Sequence, residues 1–280
     1  MEITNALRRA VTLGELHLEY QPLRRLADER IVAVEALVRW HHPQRGLLQP
    51  SDFIPVAEES NLIIDVGNWV VAEACRQLAE WDETVPDLRH LQVSVNVSAR
   101  QLATPALGRV VAATLARTGL DPDRLCLEVT ETAVLDDFAA SFEVLTDLRA
   151  QGVSLAIDDF GTGYSSLTYL QRLPMCGLKI DGSFVTGLDR DPARRAIVRS
   201  VIQLAHALEL QVVAECVETS GEAGTLAELG CDLIQGYHVA RPQPPEELVT
   251  SWMAGRVAPG RAAGPRSGQP ARAPRRELPY

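Results

Sequence analysis

The chain has 280 residues and a formal net charge of −10 at neutral pH. That length suits one large α/β domain or two small ones, and the acidity argues against nucleic-acid backbone binding as the main task, so no nucleic-acid partner is expected. Five scattered cysteines without a C-x-x-C pair exclude a zinc knuckle and a disulfide framework, and no stretch approaches the roughly 18 apolar residues of a membrane span, so a cytoplasmic protein without a membrane partner is expected.

In chain order, "LHLEYQPL" and "IVAVEALVRW", joined by the polar "RRLADER", predict an opening antiparallel pair. Then "NWVVAEACRQLAEW" has helical period, "LQVSVNVS" reads as a strand, "PALGRVVAATLARTG" as a helix and "RLCLEVTE" as a strand. "FEVLTDLRAQG" (helix), "SLAIDDF" (strand), "SSLTYLQRL" (helix) and "GLKIDGSFV" (strand) follow. The series closes with "ARRAIVRSVIQLAHALEL" (helix), "QVVAECVE" (strand), "GTLAELG" (helix), "CDLIQGYHVA" (strand) and "PEELVTSWM" (helix). About seven strand-helix repeats without an obvious linker predict an α/β fold, a single (β/α) barrel of the TIM type. The rival, an open doubly wound sheet, lacks its Gly-x-Gly-x-x-Gly after the first strand. Residues 254–280 carry six arginines, one glutamate, many Pro and Gly and few large apolar residues, and read as a disordered basic tail.

Buried parallel strands should be apolar throughout, yet polar residues recur at their C-terminal ends. Glu35, Asn96, Glu128 and Glu131, Asp158 and Asp159, Lys179 and Asp181, Glu215 and Glu218, and Gln235 all sit there. In a barrel those ends converge on one mouth. Crowded carboxylates need compensating cations or protons, and a set of oxygen donors without His or Cys favours Mg²⁺ or Mn²⁺ over zinc. Adjacent Asp158 and Asp159 can serve two ions, as phosphodiester hydrolysis by a two-metal site would use, and Lys179 can hold the water or neutralise phosphate charge.

Taken singly, such residues have plainer readings. A lone strand-end acid is usually a helix cap or a surface group. His41 and His42 in "RWHHPQRG" read as exposed turn residues, His206 as a packed helix residue, and Tyr164 as either a packed loop residue or a base-stacking one. The Gly161-x-Gly163 pair lacks the third glycine of a dinucleotide fingerprint.

The ordered series "EALVR" (35–39), "NVS" (96–98), "LEVTE" (127–131), "DDFGTGYSS" (158–166), "LKID" (178–181), "AECVE" (214–218) and "QGY" (235–237) resembles the EAL-domain cyclic di-GMP phosphodiesterases. The resemblance runs from about Leu13 to Trp252. It implies a modified TIM (β/α)8 barrel with an antiparallel first strand, spanning 13–253, after an N-terminal linker helix over 1–12 and before the tail. It implies hydrolysis of cyclic di-GMP to linear pGpG with Mg²⁺ or Mn²⁺, two ions per site. By resemblance Glu35, Asn96, Glu128 and Asp158 ligate the first metal, and Asp158 and Asp159 the second. Lys179 and Glu215 position and activate the attacking water, and Arg39, Gln21, Leu37 and Gln235 contact substrate or its surroundings. Asp181, Glu131 and Glu218 support the site, Glu131 by anchoring the loop after Asp159, which in this family also links to a homodimer interface.

Two departures stand out: Cys216 where the family usually has Gly, and Gly182 where Arg is more usual. No expected ligand is lost, which argues against the alternative of a non-catalytic cyclic di-GMP receptor signalling through a protein partner. The opening "TNALRRAVTLGELHLEYQP" resembles the junction that connects a GGDEF domain to this domain in composite proteins. Either a stand-alone enzyme or a piece of a longer chain with a GGDEF or sensor domain is therefore expected.

Overall fold

The structure, a computed structural model, describes residues 2–161 and 167–254, except the side chains of residues 2, 167 and 168. Most of the basic tail, and residues 162–166 of the loop after Asp159, with Gly163 and Tyr164, lie outside the described residues.

The chain opens with helix α1 (Glu2–Leu13) and the strands β1 (Leu16–Arg25) and β2 (Ile31–His42). Next come a short strand β3 (Gly46–Leu48) and helices α2 (Pro50–Glu59) and α3 (Ile63–Thr84). The alternation continues with β4 (Gln92–Val97), α4 (Ala99–Leu102), α5 (Ala106–Thr118), β5 (Leu125–Thr130), α6 (Glu131–Asp136), α7 (Phe138–Ala150) and β6 (Ser154–Phe160). It ends with α8 (Leu167–Leu170), β7 (Gly177–Ile180), α9 (Gly182–Val185), α10 (Pro192–Ala207), β8 (Gln211–Ala214), α11 (Ser220–Glu228), β9 (Leu233–Gln235) and α12 (Pro245–Met253).

Among the described residues, β1, β2 and β4 to β9 close into an eight-stranded barrel, and β3 hangs on β2 as a hairpin extension. The expected odd strand is present: β1 runs antiparallel to both neighbours, β2 and β9, and the remaining barrel pairs are parallel. The outward faces of the strands carry buried Val34, Val95, Leu127, Ile157, Leu178 and Val212, covered by the helices. Burial of such side chains stabilises by about 1.5–3 kcal/mol each.

The inward faces matter more for function. With a side-chain period of two, alternate residues of each strand face the lumen, and two layers of them form the floor and the rim of the site. The lower layer is small or apolar: Leu23, Ala33, Val213 and Leu233 form their own cluster. With Ser94, Cys126, Ala156 and Gly177 they bound a cavity of about 150 Å³ under Lys179. Two residues nearer the mouth on each strand, which on the reversed β1 means two residues earlier in the chain, the upper layer is polar. It comprises Gln21, Glu35, Asn96, Glu128, Asp158, Lys179, Glu215 and Gln235.

Several expected strands are shorter than their apolar runs. β7 stops at Ile180, because the Asp181 carboxylate accepts from Ser183 N at 3.0 Å and starts the short helix α9 where "GSFV" was expected to be extended. β8 stops at Ala214, because Cys216 turns to φ +53°. β9 is three residues long, and Gly236 turns at φ +150°, where an added Cβ would stand 2.2 Å from the carbonyl oxygen of Val217. Only glycine lets those two strand ends approach so closely. Of the helix expected over 165–173, Leu167–Leu170 is helical among the described residues. His42 also departs from expectation. It is a buried strand residue whose Nδ1 accepts from Gln44 N, while His41 is exposed on β2 and stacks on His17. The five cysteines are unpaired, and among the described residues no helix is long and apolar enough to cross a membrane.

Candidate functional site

The upper lumen layer gathers around one cation. Lys179 is 1% exposed, and its Nζ lies 2.5 Å from Glu215, 2.7 Å from Glu128, and 3.4 Å from both Glu35 and Asp158. β7 supplies the lysine, and the four acids come from β2, β5, β6 and the end of β8. Residues as far apart in sequence as Glu35 and Glu215 thus meet in one pocket.

Asp158 and Asp159 need a separate explanation, since successive strand residues normally point to opposite faces. Here β6 pairs Ile157 with Leu178 and Phe160 with Ile180, so one extra residue is accommodated between them. This bulge, with Asp159 at φ +53°, lets the second aspartate turn towards the first. Asp, a short polar residue, tolerates that backbone better than a branched one. Carboxylate oxygens of Asp158, Asp159 and Glu215 all lie within 4.8 Å of one another, a grouping in which a cation could sit. Glu215, expected beside the water, therefore stands with the two aspartates.

The first expected ligand set is pre-paired. Glu35 accepts from Asn96 Nδ2 at 2.6 Å and from Gln235 Nε2 at 2.6 Å, and Gln235 Nε2 also reaches Gln21 Oε1 at 3.0 Å. Gln21 in turn donates to Ala240 O at 3.1 Å. Gln235 Oε1 is buried without a partner among the described residues, an acceptor left over in the wall of the site.

The charges do not balance. Burial works against the charge of Lys179, but Glu128, Glu35, Glu215 and Asp158 outweigh it and hold the ammonium well above its usual range. Burial lifts Glu128 to about 8 against the pull of Lys179, with Glu35 and Asp158 adding to the rise. Burial likewise lifts Glu215 to about 7. Asp159 is raised by burial and by Asp158 and Asp181. Glu35 falls: burial opposes its charge, but Lys179 and the amides of Gln235 and Asn96 prevail. One ammonium cannot neutralise this many buried carboxylates, so the pocket favours added positive charge.

An open cleft of about 540 Å³ adjoins the acids. Gln21, Leu37, Arg39 and Gln235 line it, and it reaches the cluster through Glu35 and Glu215. Arg39 is buried and aimed by Glu19, whose carboxylate accepts from Nε at 2.8 Å, while Nη1 donates to Val38 O at 3.0 Å. Reasoning from strand ends passed over Glu19; its signal was parity, since it lies two residues from Gln21 on the same face of β1.

The remaining expected residues lie off the cluster. Asp181 caps α9, and Glu131 is buried at the start of α6. Glu218 is exposed at the cleft rim beyond the end of β8, and its backbone N–H donates to Glu222 at 2.9 Å. Glu222 was not anticipated, although "TSGE" (219–222) is a readable capping box.

Comparison with known proteins follows the same outline. A family model described as the EAL domain matches residues 4–242. The bifunctional diguanylate cyclase/cyclic di-GMP phosphodiesterase MucR of Pseudomonas aeruginosa is 44% identical over 252 residues, covering 90% of this chain and 36% of that protein. The cyclic di-GMP phosphodiesterase NbdA of the same organism is 42% identical over 244 residues, covering 87% of this chain and 31% of that protein. The chain therefore spans about a third of the length of these curated relatives. The solved PaMucR phosphodiesterase in complex with c-di-GMP superposes with a TM-score of 0.84 at 43% identity, covering 89% of this chain and all of that one. The barrel with its reversed first strand, the acids around Lys179 and these matches together make the chain a member of the EAL-domain family.

Proposed function

We propose that this domain hydrolyses one phosphodiester bond of cyclic di-GMP to give linear pGpG, supported by Mg²⁺ or Mn²⁺. The observation that carries the reading is the meeting of Glu35, Glu128, Asp158 and Glu215 on Lys179 beside a cleft of small-molecule size. The names of MucR and NbdA, and the ligand of the PaMucR structure, supply the substrate.

The donor set suits a hard divalent ion: carboxylates and an amide, with an excess of negative charge and no His or Cys. Glu35, Asn96, Glu128 and Asp158 would hold one ion and Asp158 and Asp159 a second, with Glu215 close enough to share it. Bound there, the ions would supply charge compensation to the phosphate and lower the pKa of a ligated water.

The protein's own groups do the rest. Lys179, held charged, donates hydrogen bonds and orients the attacking water rather than acting as a base. Glu215, 2.5 Å from Lys179 and beside Asp158 and Asp159, accepts the water's proton. Arg39, fixed by Glu19, contacts a substrate phosphate from the cleft wall, and Gln21 and Leu37 shape that wall. Gln235 keeps Glu35 in place. Asp181 and Glu218 support the strand ends, and Glu131 anchors the loop after Asp159, the segment through which a homodimer would form.

The division into a linker helix over 1–12, a barrel over 13–253 and a tail is part of the same proposal. So is a companion GGDEF or sensor domain in a longer parent chain, for which the bifunctional name of MucR gives support.

The test is incubation of the purified domain with cyclic di-GMP and Mn²⁺ or Mg²⁺, with product analysis by chromatography and mass spectrometry. Release of pGpG is expected. Tight binding of cyclic di-GMP without turnover under both ions would replace the enzyme by a receptor.

A further inference from the structure

The two positions that depart from the family's motif series, Gly182 and Cys216, touch. A Cβ built on Gly182 would stand 2.6 Å from Cys216 Cβ and 2.7 Å from its Sγ, far inside the roughly 3.5–4.0 Å separation of carbon atoms in good contact. The side chain of Cys216 thus occupies the space that any side chain at 182 would need. Gly182 is buried at the first position of α9, whereas Cys216 lies at the cleft rim with a backbone φ of +53°, which a non-glycine residue adopts only at a cost.

The contact joins the two strand ends that carry the central pair. Lys179 lies three residues before Gly182 on β7, and Glu215 immediately precedes Cys216 after β8. Between those ends, past the last paired residues Ile180 and Ala214, Glu215 N donates to Ile180 O at 3.2 Å. Lys179 Nζ and Glu215 Oε1 meet at 2.5 Å across these same two strand ends. Beyond the hydrogen bond from Glu215 N, the Cys216 side chain packed on the bare Cα of Gly182 separates them.

We propose that Cys216 and Gly182 form an interlocked spacer that sets the Lys179–Glu215 geometry, making Cys216 a positioning residue for Glu215. The inference rests on the phosphodiesterase reading for its kinetic consequence, but the interlock itself does not. One β-carbon must fill the gap, and only one fits. The strained backbone of Cys216 is the local cost of placing it on the β8 side.

The test is a double-mutant cycle with C216A, C216G, G182A and C216G/G182A, read by kcat, KM, melting temperature and the rate at which Cys216 reacts with Ellman's reagent. C216A keeps the β-carbon and should hold kcat within about twofold of the parent. C216G empties the gap and should lower kcat about five- to tenfold with KM nearly unchanged, the signature of a misplaced group in the transition state. G182A overfills the gap, lowering kcat and the melting temperature and pushing the thiol outward so that it reacts faster. C216G/G182A returns a single β-carbon from the other side and should recover kcat to within about threefold of the parent, a strong departure from additivity. If G182A alone fails to fold, folding of the double variant supports the interlock equally, and failure of both overturns it. Penalties of G182A that are equal in the two backgrounds, or C216G at parental kcat, overturn the proposal. Should the parent show no turnover, the melting temperatures and thiol rates still decide the interlock, independently of the enzymatic reading.

Discussion

Lys179 Nζ and Glu215 Oε1 stand 2.5 Å apart in the barrel mouth, with Glu128 on the same ammonium at 2.7 Å. Lys179 is therefore the hub of the cluster, and its removal should be felt twice. K179A should lower kcat by about 10²–10⁴-fold, the range of positioned proton-transfer and electrostatic groups. It should also leave a group of buried acids with less compensation, so its melting temperature should fall unless Mn²⁺ is present. K179R should not restore turnover, because a planar guanidinium does not reproduce a point ammonium. Steady-state kinetics and melting curves with and without Mn²⁺ check this; K179A retaining a tenth of parental kcat would refute it.

Glu35 accepts from Asn96, Gln235 and Lys179, and these donors hold it below its ordinary pKa despite burial. E35Q keeps the shape and removes the charge. Mn²⁺ binding weakened by at least the about 10–100-fold that loss of a partner behind a ligand costs, and loss of turnover, are expected, with cyclic di-GMP binding through the cleft largely kept. Calorimetric titration with Mn²⁺ and with the nucleotide separates the two effects.

Divalent ions should stabilise the fold as well as support turnover. The acids repel one another when no ion compensates them, so the melting temperature should rise with Mn²⁺ concentration, by about 2.7 kcal/mol of stability at 100 times Kd. Chelation should abolish pGpG formation, and added Mg²⁺ or Mn²⁺ should restore it. Turnover undiminished after exhaustive chelation would contradict the metal assignment.

Away from the site, Glu222 ties the α9 end to the α11 cap. Its carboxylate accepts from Gly187 N at 2.8 Å, Glu218 N at 2.9 Å and Thr219 N at 3.0 Å. Burial opposes its charge, but these backbone donors prevail and hold its pKa below the usual value. A depressed carboxylate stabilises the fold fully above its unfolded pKa, about 4.3, and loses that contribution as pH falls through the folded value. E222Q should cost about 1–2 kcal/mol at neutral pH, and the gap should close under acid. Urea unfolding at neutral pH and below pH 4 measures both; a gap that persists unchanged in acid would count against the argument.

R39A should raise KM more than it lowers kcat, and E19Q should do the same more mildly by releasing the Arg39 fork from its 2.8 Å anchor. Equal loss in kcat with KM unchanged would place Arg39 outside substrate binding.

Much of the barrel was legible because the repeat of apolar strands and amphipathic helices is a global pattern, and "RRLADER" between two strands marked the reversed β1. Strand ends were less legible. Whether "LKIDGSFV" continues as a strand depends on Asp181 finding Ser183 N, and whether "AECVE" does depends on the turn at Cys216. Polar residues at strand ends gave more candidates than the cluster holds, since Glu131, Asp181 and Glu218 lie off it; Lys179 could be read as lying amid acids, but which four it touches follows from barrel closure. The adjacency of Asp158 and Asp159 could be read directly, whereas the bulge that aims them together is a matter of register. Glu19 and the Gly182–Cys216 contact involve pairs joined only in three dimensions, one across a hairpin and the other between two strand ends.

The central claim is that acids from four separate strand ends hold divalent cations in one pocket. Anomalous diffraction from crystals grown with Mn²⁺ and cyclic di-GMP tests it most directly. The account predicts manganese peaks about 2.0–2.3 Å from carboxylate oxygens of Asp158 and its neighbours, with a substrate phosphate alongside. A mouth free of anomalous density at millimolar Mn²⁺, with the nucleotide bound, would contradict it.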